Sequence, residues 1–128
     1  MRVLETGDWS LLLPDEWRAE QDEESIVIGD RDGVGCIEIS ELRKEQGAFG
    51  SADLKALIDD PQTWQSAQLG NFAGLGNSLI EDDAAIREWY VYAGDLLLYV
   101  TYSCAIENRG LDDAAVDEIL ATLRADVD

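Results

Sequence analysis

The clearest hydrophobic pattern runs from Ile86 to Ile106, where two apolar runs are joined by Gly94 and Asp95. Glycine accepts the positive φ of a primed turn, so Gly-Asp between alternating runs predicts a β-hairpin. A two-residue loop fixes the register: Ala93 faces Leu96, Val91 faces Leu98 and Trp89 faces Val100. Side chains alternate across a strand. This first face, continued to Cys104 and Ile106, is almost wholly apolar and predicts core. The second face sets Tyr90 opposite Tyr99, Tyr92 opposite Leu97 and Glu88 opposite Thr101. It is amphipathic, as expected of a partly covered sheet or of a docking surface.

Upstream, after a weakly patterned start, Trp9 to Leu13 predicts a first strand ended by Pro14, which cannot donate to a ladder. Pro14 to Trp17 predicts a turn leading to a packed tryptophan, and Glu20 to Glu24 an exposed charged stretch. Ser25 to Gly29 and Val34 to Leu42 predict the next two strands, joined by a turn at Asp30-Arg31-Asp32-Gly33. In the third strand Ile37 and Ile39 face the core, leaving Cys36, Glu38 and Ser40 on the more polar side. The turn is not a calcium loop: with Gly33 in the sixth loop position, Ile28 and Ile39 fall where oxygen ligands are required.

Two stretches have helical spacing. Leu54, Leu57 and Ile58 form one apolar stripe after an N-cap at Ser51, with closure at Asp60-Pro61. Val116, Ile119, Leu120 and Leu123 form a longer one, capped by Asp112 or Asp113, with Arg124 placed to complement the C-terminal dipole. Between the stripes, Thr63 to Leu69 and Ser78 to Ile80 read as strands. Gly70, Gly74 and Gly76 are expected to make turns. The GNFAGLG run lacks the Lys-Ser/Thr of a phosphate-binding loop and the helix that should follow it.

Together these predict an α+β fold, an antiparallel sheet of about six or seven strands with two main helices packed on it, in a single domain spanning 1–128. Of 128 residues, 28 are acidic and 9 basic, a formal charge of −19. Such a field repels nucleic-acid phosphates and anionic lipid surfaces and favours a basic partner. The chain has no histidine, which excludes Ser-His and Cys-His nucleophile systems within one chain. Cys36 and Cys104 are far apart and form no metal-binding spacing, so free thiols are expected, with no metal and no cofactor. The absence of a basic-then-apolar start and of a long apolar run predicts a cytoplasmic chain that does not cross a membrane.

The element order and four motifs resemble the family of PsbP photosystem subunits and Ran-binding Mog proteins. The motifs are Leu12-Leu13-Pro14-x-x-Trp17; Gly33-x-Gly35-Cys36-Ile37-Glu38-Ile39-Ser40; Glu88-Trp89-Tyr90-Val91 with Leu98-Tyr99-Val100-Thr101-Tyr102; and the closing Ile119-Leu120-Ala121-Thr122-Leu123. The resemblance implies a PsbP/Mog-like sandwich and a protein-binding role, with no shared catalytic set to carry over. The expected function is that of a non-catalytic protein-binding domain in a small acidic cytosolic protein, such as an adaptor or effector chaperone, monomeric or homodimeric. Alternatives are an immunity-type inhibitor of a basic toxin and a hydrolase using carboxylates such as Glu38, Glu41 and Glu88. If the second hairpin face is uncovered, Tyr90, Tyr92 and Tyr99 are the expected anchors, with Glu88 and Thr101 at their edge.

Overall fold

The hairpin is the centre of the molecule. A computed structural model describes residues 2–22, 25–31, 33–58, 60 and 62–125. In it β8 (Ala84–Ala93) and β9 (Leu96–Ala105) pair with the expected register, Trp89 against Val100 and Tyr90 against Tyr99. Gly94 takes φ 61°, the left-handed conformation the turn requires. β5 (Gly35–Arg43) flanks β9, followed outward by β4 (Ser25–Asp30) and β3 (Trp17–Gln21). On the other side lie β7 (Phe72–Glu81) and β6 (Gln65–Leu69). All seven strands pair antiparallel.

A second sheet of three strands is formed by β1 (Arg2–Glu5), β2 (Trp9–Leu13) and β10 (Arg124–Ala125), with β2 in the middle. Together with α2 (Asp113–Leu120), it covers one face of the large sheet. Trp9, Leu11 and Leu13 of β2 and Val116, Ile119 and Leu120 of α2 share one core with Ile37, Ile39, Trp89, Val91, Leu98 and Val100. Fully burying an aliphatic or aromatic side chain of this kind stabilises by roughly 1.5–3 kcal/mol, so this layer dominates the fold's stability. The fold is α+β with an antiparallel sheet, as the sequence pattern indicates.

The second sheet goes beyond the expected architecture. β1 and β10 were unmarked, and β3 starts where only a turn and a packed tryptophan were expected. All three are short edge strands, and β1 and β3 carry charged side chains. Charged, weakly apolar edges are how sheets avoid pairing with other chains. Their alternation is therefore faint in the sequence. Arg124 belongs to β10 and pairs with Ser10, so it does not serve the end of α2.

Local corrections follow from packing. Gly50, rather than Ser51, caps α1 (Ser51–Leu57), its N–H donating to the Asp53 carboxylate at 2.8 Å. Leu54 and Ile58 are buried but Leu57 is 44% exposed. Gly74 and Gly76 make no turn; they lie inside β7, where a Cβ on Gly76 would come 2.8 Å from the Trp89 ring and one on Gly74 would overlap the Tyr90 carbonyl. Close approach explains glycine there. Gly70 does form a turn, at φ 64°. Ile106 is 41% exposed in a short 3-10 turn beyond β9, not part of the core face. Asp112 occupies the N-cap of α2 without a side-chain capping bond, because its carboxylate accepts the Tyr102 hydroxyl at 2.6 Å. Pro61, Asp32, Glu23 and Glu24, part of the expected helix closure, turn and charged stretch, lie outside the described residues.

Candidate protein-docking face

The side of the large sheet away from the main core is the outer face. Its rows follow from the ladder register. One row crosses Glu20, Val27, Glu38, Thr101, Glu88 and Asn77. The next, two residues along each strand, crosses Ser40, Tyr99, Tyr90 and Leu75. None of these side chains is buried. The exception on this face is Leu97, 3% exposed. Leu97, Leu54 and Ile58 are the buried apolar residues outside the main core, consistent with α1 and the segment before it covering the turn end of the hairpin. There Lys44 and Phe49 donate backbone N–H groups to Asp95 and Gly94. The outer face is thus shut at the Gly94 end and uncovered beyond Tyr99.

The uncovered part is ordered by specific contacts. Tyr90 and Tyr99 stack at 4.6 Å between ring centroids, and Trp64 continues the ladder at 5.6 Å from Tyr90. The Tyr99 hydroxyl donates to Glu88 Oε2 at 3.0 Å, and Asn77 Nδ2 donates to Glu88 Oε1 at 3.3 Å. Partial burial, then the Glu88 carboxylate, pushes the Tyr99 phenol well above its ordinary range. The hydroxyl therefore stays a donor to Glu88 near neutral pH.

Four of the five residues expected from the sequence come together here: Glu88, Tyr90, Tyr99 and Thr101. Tyr92 lies one row further, between Leu97 and Ala73, towards the covered end. Sequence spacing missed Trp64, which precedes β6 in a loop, and nothing in its surroundings signals the stack. It also missed that Glu20 and Glu38 would line up with Glu88; knowing that β3 pairs β4 would have shown it. The carboxylates proposed for acid-base work are split. Glu38 and Glu88 flank Thr101 on the outer face, while Glu41 faces the other way and accepts the Trp9 indole N–H at 2.8 Å.

The inner side offers a different site. A cleft of about 640 Å³ opens between the loop before α2 and the far ends of β7 and β8, with a second hollow of about 360 Å³ beside it. Arg87 lines both. Its guanidinium lies 4.8 Å from the Trp89 ring centre and pairs with Asp117 at 2.6 Å and Asp113 at 3.4 Å. With two carboxylates on it, Arg87 brings no net positive charge for an anionic ligand. Cys104 is buried on this side and Cys36 half-buried on the outer face, both as free thiols. Among the described residues no group of three or more Cys, Asp or Glu is placed to hold a metal ion, and no helix is long and apolar enough to cross a membrane.

An uncovered, aromatic, acidic sheet face on an α+β scaffold defines the class of site. No family model and no curated protein matches the chain. Among solved structures it is similar to a protein of Bacteroides thetaiotaomicron VPI-5482, with 17% identity and a TM-score of 0.71 over 94% of this chain and 46% of that one. It is also similar to LpqN, involved in cell envelope biogenesis of Mycobacterium tuberculosis, with 19% identity and a TM-score of 0.54 over 95% and 88% of the two chains. The chain therefore spans about half the length of the Bacteroides protein. At these identities the likeness shows the fold alone.

Proposed function

We propose that this is a non-catalytic protein-binding domain of an acidic cytoplasmic protein, and that the outer face is its docking surface. The observation that carries this reading is the half-exposed ladder of Trp64, Tyr90 and Tyr99 beside a hydrogen-bonded Glu88. Tyrosine and tryptophan give large contact area with few rotors and a polar handle. A formal charge of −19 makes a basic protein the fitting partner, because complementary fields raise the on-rate. A PsbP/Mog-like sandwich belongs to the same proposal. It is supported by the two helices, one buried against the inner core and one outside it, on opposite faces of an antiparallel sheet.

The same charge favours a second reading, an immunity-type inhibitor of a basic toxin. Binding of a basic partner falls with salt under either reading. The partner's fate separates the two: an immunity-type inhibitor silences the basic enzyme it captures, whereas an adaptor or chaperone leaves its partner's activity intact. The deciding experiment is capture of partners from native lysate by the wild-type protein and by a Tyr90→Ala, Tyr99→Ala variant, at low and high salt. Loss of a specific partner from the variant is the expected result. Equal recovery by both proteins would remove the outer face as a docking site.

A further inference from the structure

Two lines of side chains cross the outer face side by side. The acidic line is Glu20, Glu38 and Glu88, each separated from the next by one strand, through Val27 and Thr101. Neighbouring strands lie about 4.8 Å apart, so these carboxylates repeat at about 9.6 Å. The aromatic line is Tyr99, Tyr90 and Trp64, running in the same direction about 6.8 Å away, two residues along the strands.

A carboxylate repeat near 9.6 Å selects among backbone conformations. A β-strand repeats side chains on one side every ~6.7 Å. An α-helix turns every ~5.4 Å, and its nearest comparable repeat, two turns, is about 10.8 Å. A polyproline II helix has three residues per turn and a rise of about 3.1 Å, giving a repeat of about 9.3 Å. We propose that the outer face binds a basic polyproline II segment, with arginine or lysine at every third position on the acidic line and proline rings on the aromatic line. This presupposes the docking role above and names the partner's chemistry.

The three edges of a polyproline II helix fit the two lines together. Cations at positions i, i+3 and i+6 form one edge and meet Glu20, Glu38 and Glu88. Prolines at i+4 and i+7 form the adjacent edge; with position i on Glu20, their repeat of about 9.3 Å carries the first towards Tyr99 and the second towards the Tyr90–Trp64 end of the aromatic line. The segment needs no sheet edge and pays little ordering entropy, since the conformation is largely preformed. Charge complementarity supplies the direction: among the six residues of the acidic row, three are carboxylates and none is a cation.

The test uses the full chain, labelled with 15N, and three peptides. One repeats arginine-proline-alanine three times. The second has the same composition with arginine at every second position. The third replaces arginine by glutamate. The first is expected to bind about tenfold more tightly than the second, with the third silent, and to shift the amides of Glu38, Glu88, Thr101 and Tyr99. Glu38→Gln with Glu88→Gln keeps side-chain shape and should weaken the first peptide about tenfold. Equal affinity for both arginine peptides, or shifts confined to the Arg87 cleft, would overturn the proposal. If the peptides fail while Tyr90→Ala, Tyr99→Ala still loses a protein partner, the polyproline II ligand falls and the docking face stands. If that variant also keeps its partners, both fall.

Discussion

The two sides of the β8–β9 hairpin differ sharply although they alternate residue by residue. On the inner side Leu98 and Val100 are wholly buried among Trp9, Leu11 and α2. One residue along, Tyr99 and Thr101 face outward and are only half-buried. The inner side is held by packing that excludes water. The outer side is held by a ring stack and hydrogen bonds that leave surface available. The stabilising core and the proposed docking surface thus lie on opposite faces of the same strands. The separation can be tested face by face, starting with the substitution expected to cost most.

Leu98→Ala removes a wholly buried side chain at the centre of the main core. Such truncations cost about 2–5 kcal/mol, the larger values where the cavity cannot close. Leu98 sits between Val91 and Glu41 in the ladder, with strands on both sides that cannot move in, so the upper half of that range is expected in urea unfolding. Thr101→Ala, on the outer side, should change stability by less than about 0.5 kcal/mol. Equal losses for the two would deny that the faces have separate roles.

Gly70→Ala tests how the two sheets are joined. Gly70 has φ 64°, and a Cβ there would overlap the carbonyl of Leu123. That carbonyl accepts the Asn71 N–H at 3.2 Å, and Asn71 in turn accepts the Ala125 N–H at 2.8 Å. The β6–β7 turn therefore fastens the C-terminal strand of the small sheet. Left-handed strain plus the clash should cost about 1–3 kcal/mol, read as a lower urea midpoint. No loss would mean that this junction does not hold the small sheet on the large one.

The sequence pattern was most informative where chain separation is short. Gly94-Asp95 dictates the hairpin register because the loop admits one pairing and the apolar residues must share a side. Val116, Ile119 and Leu120 of the second stripe are buried on α2 for a similar reason, since helical periodicity is local, whereas α2 ends at Leu120 and Leu123 is buried beyond it. What stayed hidden depends on partners distant in sequence. β1 and β10 are strands only because β2 lies between them. Gly74 and Gly76 read as turn formers until Trp89 is known to lie across β7. The outer face follows the same division: Tyr90, Tyr99, Glu88 and Thr101 come from one hairpin and were legible. Trp64, Glu20 and Glu38 join them through pairings that no local signal announces.

Tyr102→Phe probes the inner face at its rim. The Tyr102 hydroxyl donates to Asp112 at 2.6 Å beside the Arg87 cleft, and the residue is otherwise buried. Deleting a hydrogen bond to a carboxylate costs about 1.5–3 kcal/mol in general. Here Asp112 keeps access to solvent after the loss, so about 1–2 kcal/mol is expected. A cost near zero would mean that α2 is positioned by its apolar stripe alone.

A small effect on the outer face is best seen through pH. Tyr99 and Tyr102 both have phenols raised well above the ordinary value of about 10, each by burial first and by a carboxylate partner second. A group whose folded pKa is raised leaves the folded state holding more protons once pH passes the unfolded value. Stability is then full below about pH 10 and falls as pH rises further. Tyr99→Phe removes the outer contribution to that fall while leaving the ring stack with Tyr90 in place. At pH 7 its cost should be under about 1 kcal/mol, because the Glu88 carboxylate keeps Asn77 and water as donors. Between pH 10 and 11.5 the variant should lose stability less steeply than wild type, and Tyr99→Phe with Tyr102→Phe less steeply still. The measurement is urea unfolding at several alkaline pH values. Parallel curves for all three proteins would show that neither phenol is held by its carboxylate, and with that the ordered geometry assigned to Glu88 would be lost.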